Sequence, residues 1–129
     1  MDVKGIDHIA INAIDIEQSI RFYEKVLRFP LVERVPNGDN TLVYLRMTAD
    51  TMLELFDHKK EIKYHSHPED ASGLVHFALT VDGIEDWNEH LTRHNVEFTL
   101  PLCSLSHLGK KVLLFKDPNG AIIELCEDF

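Results

Sequence analysis

The strongest constraint on what this 129-residue chain can fold into is an internal repeat, because self-similarity at a fixed spacing defines the unit that must fold. HIAIN at 8–12 aligns with HFALT at 76–80, with Ala10 over Ala78. The same offset of 68 places Ile16-Glu17 over Ile84-Glu85. Further along, LEL at 53–55 aligns with IEL at 123–125, now at an offset of 70. The halves therefore differ by a net insertion of two residues, which a loop absorbs easily.

Each half reads as one strand, one helix and three strands. In the first, the β-branched run 4–12 predicts a strand, and Asp15 an N-cap before a helix over 16–29. Ile16, Ile20, Tyr23 and Leu27 form the helix's apolar stripe, with Ser19, Phe22 and Val26 beside them, and Pro30 stops it. Strands follow at 31–35, 41–47 and 51–56, the first two joined by PNGDN, whose Asn-Gly marks a hairpin. The second half predicts a buried strand over 74–81, a helix over 84–95, and strands at 96–102, 110–116 and 121–127. A Ser/His/Gly turn at 104–109 and a DPNG turn at 117–120 separate the last three. The fold class is thus α+β, two βαβββ modules at about 3–57 and 73–127 in one domain, joined by a polar His- and Lys-rich linker at about 58–72.

The balance of 13 basic against 22 acidic side chains gives a net charge of −9, a field that repels nucleic acid and anionic membranes. No apolar run approaches the roughly 20 residues needed to span a bilayer, and the N-terminus lacks a signal-peptide apolar core. A soluble cytoplasmic protein is expected. Cys103 and Cys126 form no C-x-x-C and read as reduced, buried thiols.

Four ionisable residues stand at repeated positions among apolar neighbours. His8 and His76 occupy the first strand of each half, and Glu54 and Glu124 the last. Strand alternation puts Ile9, Ile11, Leu53, Leu55, Phe77, Leu79, Ile123 and Leu125 on one face, suited to pack under the helices. The opposite face carries His8, Ala10 and Asn12, Glu54 and Phe56, His76, Ala78 and Thr80, and Glu124 and Cys126, the lining expected of a concave cavity. A buried carboxylate is costly unless paired, protonated or bound to metal. Two imidazoles and two carboxylates suit Zn, Ni, Co, Mn or Fe(II), with water or substrate completing the coordination. The plainer alternative is a pair of salt bridges, His8 with Glu54 and His76 with Glu124, in a duplication without chemistry. The remaining histidines, His58, His65, His67, His90, His94 and His107, read as solvated surface, although His90 and His94 have a helical i, i+4 metal spacing.

These residues resemble the vicinal oxygen chelate superfamily of glyoxalase I, fosfomycin-resistance proteins, extradiol dioxygenases, bleomycin-resistance proteins and methylmalonyl-CoA epimerase. The resemblance is carried by DHIAI at 7–11, DIEQSIRFYEKVLRF at 15–29, LELF at 53–56, LVHFALTVDGIE at 74–85 and FKDPNGAIIEL at 115–125. It implies a cupped mixed sheet around one metal with the helices outside. By ligand set it is closest to glyoxalase I, whose His, Glu, His, Glu transfer to His8, Glu54, His76 and Glu124. Fosfomycin-type enzymes and dioxygenases use two His and one Glu, which leaves Glu54 unexplained. The epimerase typically has Gln at the position of Glu54. Where glyoxalase I typically holds glutathione with an Arg and an Asn, this chain has Asn12 and His58.

The resemblance implies a metal-dependent isomerase or lyase acting through an enediolate, on a hemithioacetal or related α-hydroxycarbonyl. Glu124 or Glu54 would leave the metal to act as general base, with Glu124 favoured. The alternatives are a fosfomycin-type thiol transferase, an Fe(II) dioxygenase, or a non-catalytic small-ligand binding module. The partner is a small-molecule substrate, and the resemblance adds a homodimer.

Overall fold

The computed structural model describes residues 1–65 and 70–129. The chain divides into two compact units, Met1–Tyr64 and His65–Phe129, each a βαβββ module with its own four-stranded mixed sheet. The α+β class and the repeat are both as expected.

The first unit runs β1 (His8–Asn12), α1 (Ile16–Lys25), β2 (Leu31–Asn37), β3 (Asn40–Arg46) and β4 (Met52–Asp57). Its strand order is β1-β4-β3-β2, with β1 parallel to β4 and the other neighbours antiparallel. Parallel pairing needs a long crossover, and here α1 and the β2–β3 hairpin lie between the two strands. The hairpin closes on Asn37↔Asn40, with Gly38 at φ 64°, a conformation that favours glycine. Asp15 caps α1, its carboxylate accepting from Gln18 N at 3.1 Å. The helix stops at Lys25, short of the expected Phe29. The cause is local closure rather than Pro30. Arg28 turns left-handed at φ 61° and Phe29 N donates back to Tyr23 O, six residues earlier, at 2.9 Å. Ile20 and Tyr23 from the helix, Val43 and Leu45 from β3, and Leu53 and Leu55 from β4 are all buried. Burial of each such side chain is worth about 1.5–3 kcal/mol, so this face holds the unit together.

The second unit repeats the plan with β5 (Phe77–Thr80), α2 (Ile84–Arg93), β6 (Glu97–Leu105), β7 (Lys110–Lys116) and β8 (Ile122–Asp128), in the order β5-β8-β7-β6. Again the first strand runs parallel to the last. The correspondence reaches single hydrogen bonds past the first strand. Ala13 N donates to Phe56 O at 3.1 Å, and Val81 N to Cys126 O at 2.9 Å.

Other expectations need correction too: β1 begins at His8 rather than Lys4, and α2 ends at Arg93 rather than Asn95. The stretch 74–81 is not one buried strand, because its ladder to β8 begins at Phe77↔Ile123, leaving Leu74 74% and Val75 43% exposed ahead of it. β6 runs on to Leu105 because its pairing with β7 continues to Leu105↔Lys110, and only then does the short 3-10 turn Ser106–Leu108 intervene. Both thiols are free, and Cys126 is buried, but Cys103 is only half-buried. Among the described residues no helix is long and apolar enough to cross a membrane.

The two helices are capped differently. α2 starts at Gly83, which has φ 70° and no side chain to offer. The orphan N–H of Ile84 donates instead to the carboxylate of Glu127 on β8, at 2.8 Å. Glu127→Ala is expected to lower stability by about 1 kcal/mol, the usual worth of an N-cap, read as a lower urea midpoint with an unchanged slope.

Candidate metal centre

Register fixes the placement of the quartet. In the first unit Ala10 pairs with Glu54 and His8 with Met52 across the parallel ladder. Cα partners share a face, so His8 and Glu54 are diagonal neighbours on the side away from Leu53 and Leu55. In the second unit Ala78 pairs with Glu124, and His76 lies two residues ahead of Ala78, just before β5 begins. The two units thus build the same His/Glu pair from the same register.

The structure brings the four residues together two by two. His8 Nε2 lies 3.7 Å from Glu54 Oε1, and His76 Nε2 lies 2.9 Å from Glu124 Oε2. These are the pairings expected within each half. Among the described residues, no group of three or more His, Cys, Asp or Glu side chains is assembled to hold a metal ion.

Two further residues shape the first pair, and sequence reasoning had given neither a role. Asp7 Oδ2 accepts from His8 Nδ1 at 2.7 Å. This bond fixes the ring's tautomer and raises the imidazole pKa; partial burial opposes the shift and the Glu54 charge adds to it. A carboxylate on the far ring nitrogen is the usual orienting partner of a metal-binding histidine, and it leaves Nε2 facing Glu54. Tyr44 lies opposite Glu54 on β3, and its hydroxyl donates to Glu54 Oε2 at 2.5 Å. The only signal in the sequence was a Tyr on the polar face of a strand.

The donor chemistry suits a divalent cation. Glu54 is buried at 6% exposure, while its imidazole neighbour stands beyond hydrogen-bond range. Desolvating a carboxylate costs several kcal/mol, and one hydrogen bond to it returns about 1.5–3 kcal/mol, so the phenol alone does not balance the burial. In the second pair, His76 Nδ1 is buried without a hydrogen-bond partner among the described residues.

Asn12 and His58 continue the face of the first unit, with His58 Nε2 2.7 Å from Asn12 Oδ1 and the imidazole stacked on Phe56 at 5.8 Å. His90 on α2 and His94 at its C-cap lie side by side, ring centroids 4.6 Å apart, with Trp87 edge-on to His90. His65 and His107 are exposed, and His67 lies outside the described residues.

The Glu54 carboxylate accepts a hydrogen bond from the Tyr44 hydroxyl and disfavours the phenolate, so that with burial the Tyr44 pKa is pushed up to about 12. Stability from this bond is complete below pH 10, the ordinary tyrosine value, and is lost as pH rises towards 12. In metal-free protein, the 295-nm phenolate absorbance missing from Tyr44→Phe should have its midpoint near 12. Glu54→Gln should bring that midpoint down.

Comparison with known proteins adds the family. The profile of the Glyoxalase/Bleomycin resistance protein/Dioxygenase superfamily matches residues 5–125. The chain is 33% identical over 129 residues to the uncharacterized protein YaeR of Escherichia coli, covering 98% of each. It is 26% identical to the metallothiol transferase FosB of Staphylococcus saprophyticus, over 95% of this chain and 76% of FosB. Among solved structures, the glyoxalase family protein of Enterococcus faecalis superimposes with a TM-score of 0.79 at 31% identity, covering 96% of this chain and 98% of that one. With its profile match, relatives and repeated fold in agreement, the chain belongs to the glyoxalase/bleomycin resistance protein/dioxygenase superfamily.

Proposed function

We propose that this protein is a divalent-metal-dependent isomerase or lyase for a small substrate with two neighbouring oxygens, with His8, Glu54, His76 and Glu124 as metal ligands. The observation that carries the reading is the recurrence of one His/Glu pair at one register in both units. Duplication alone would copy such a pair, but a pair of ionisable residues on the polar face of both sheets, one glutamate of it buried, is the donor set a divalent cation uses. A cation of the Ni, Zn, Co, Mn or Fe(II) class supplies Lewis-acid stabilisation of negative charge on substrate oxygens.

The chain's own residues do the rest. His8 and His76 each offer an imidazole nitrogen, and Asp7 accepts from His8 Nδ1 and so orients that ring. Glu124 takes a proton from the carbon beside the substrate carbonyl and returns it to the former carbonyl carbon, while the hydroxyl proton passes to the other oxygen, so that carbonyl and hydroxyl exchange places and no atom is gained or lost. At the positions where glyoxalase I holds glutathione, Asn12 and His58 satisfy each other, which favours a different thiol or a plain α-hydroxycarbonyl. The reading includes a cytoplasmic homodimer. A second reading, thiol transfer to an epoxide, is supported by the similarity to FosB.

Chelated protein should take up one divalent ion per chain, measured by elemental analysis, and His8→Ala and His76→Ala should each weaken uptake. Failure to take up any of the five metals overturns the proposal. In loaded protein Glu124→Gln should lower turnover about 10²–10⁴-fold, the usual worth of a general base. Hemithioacetals with Ni or Zn, against fosfomycin plus a thiol with Mn, decide between the two readings.

A further inference from the structure

The repeat makes Glu54 and Glu124 equivalent in strand and register, yet their surroundings differ in one respect that bears on their work. On the far side of Glu54 the ladder partner is Tyr44, and on the far side of Glu124 it is Leu114. From the hydroxyl of Tyr44 to Glu54 Oε2 and the approach of His8 to Oε1, we infer that Tyr44 is a positioning residue that locks Glu54 as the fixed carboxylate and leaves Glu124 free to carry protons.

This role of Tyr44 rests on the metal reading of the quartet and goes beyond it by making the two glutamates unequal. Tyr44 stands on β3, which is hydrogen-bonded on both sides, to β2 and to β4, so its phenol is delivered by a fixed backbone. It holds Oε2 at 2.5 Å, and the other oxygen, Oε1, is left facing His8 Nε2. A carboxylate gripped at one oxygen presents the other at a defined place, which a ligand requires and a proton carrier does not. Glu124 has His76 at 2.9 Å, but Leu114 has no group to donate across the ladder. Its side chain is also the more open of the two, at 17% exposure against 7% for Glu54.

Tyr44→Phe removes the hydroxyl and keeps the ring. The test compares wild type, Tyr44→Phe, Leu114→Phe and Leu114→Tyr by chelator-competition titration with Co(II) and by the visible spectrum of the Co(II) protein. Tyr44→Phe should weaken Co(II) binding by about 10- to 100-fold, the usual loss when a metal ligand's hydrogen-bonding partner is removed, and should shift the spectrum. Leu114→Phe should change neither. Leu114→Tyr, which gives Glu124 a phenol of its own, should bind at least as tightly and turn over more slowly. Loss of packing alone would lower the melting temperature of Tyr44→Phe without moving the spectrum. Wild type that takes up no Co(II) overturns the metal reading, and the role of Tyr44 with it. Wild type and Tyr44→Phe that load equally, with one spectrum, overturn the role of Tyr44 alone.

Discussion

Everything in each unit depends on the parallel pairing of its first strand with its last. That pairing cannot be made by a tight turn. It needs a crossover, and the crossover supplies the helix that buries one face of the sheet. Leu53 and Leu55 go under α1, and Ile123 and Leu125 under α2. Because side chains alternate, the residues between them, Glu54 and Glu124, are held on the other face by the same backbone. The glutamates are therefore positioned by the core itself, and each histidine reaches its glutamate only because the parallel register puts it one diagonal step away. Shifting either first strand by one residue would turn its histidine into the core and end both packing and pairing.

The cost of this arrangement falls on Glu54. It lies almost without solvent, between two leucines that define the core, and its imidazole neighbour is too far away for a hydrogen bond. Tyr44 offsets part of that cost and no more. The same His/Glu pair recurs in the second unit with a closer imidazole, and the proposed cation site rests on that recurrence.

The repeat, the strand alternation and the quartet were legible in the sequence because each depends on short-range patterns. Period-two alternation needs only the strand itself, and the duplication needs only two anchors. What escaped depends on contacts between distant residues. The end of α1 is set by a left-handed Arg28 and a bond from Phe29 back to Tyr23. The cap of α2 comes from Glu127, 43 residues on at the far end of the same module. Tyr44 looked like any strand aromatic until the turn between β3 and β4 fixed the register that sets it against Glu54. Asp7 looked like an exposed neighbour, and only the ring orientation of His8 gives it a role. His76 looked like an intruder in a buried strand, but it stands at the mouth of β5, behind two exposed residues.

The two units are most alike where they face their helices and least alike where they carry the polar residues. Leucine and isoleucine recur at matching core positions, because each helix makes the same demand on each sheet. On the other face Tyr44 stands against Leu114, and Asn12, Phe56 and His58 stand against Thr80, Cys126 and Asp128. A cation can be served by symmetric ligands, since it has no front or back. A substrate with distinct ends cannot be, and proton transfer in one direction requires one carboxylate to hold and another to move. A duplicated fold becomes directional only where its copies diverge. Here divergence is concentrated around the proposed ligands: a phenol grips the first glutamate, and an aromatic, amide and imidazole cluster extends the first unit alone.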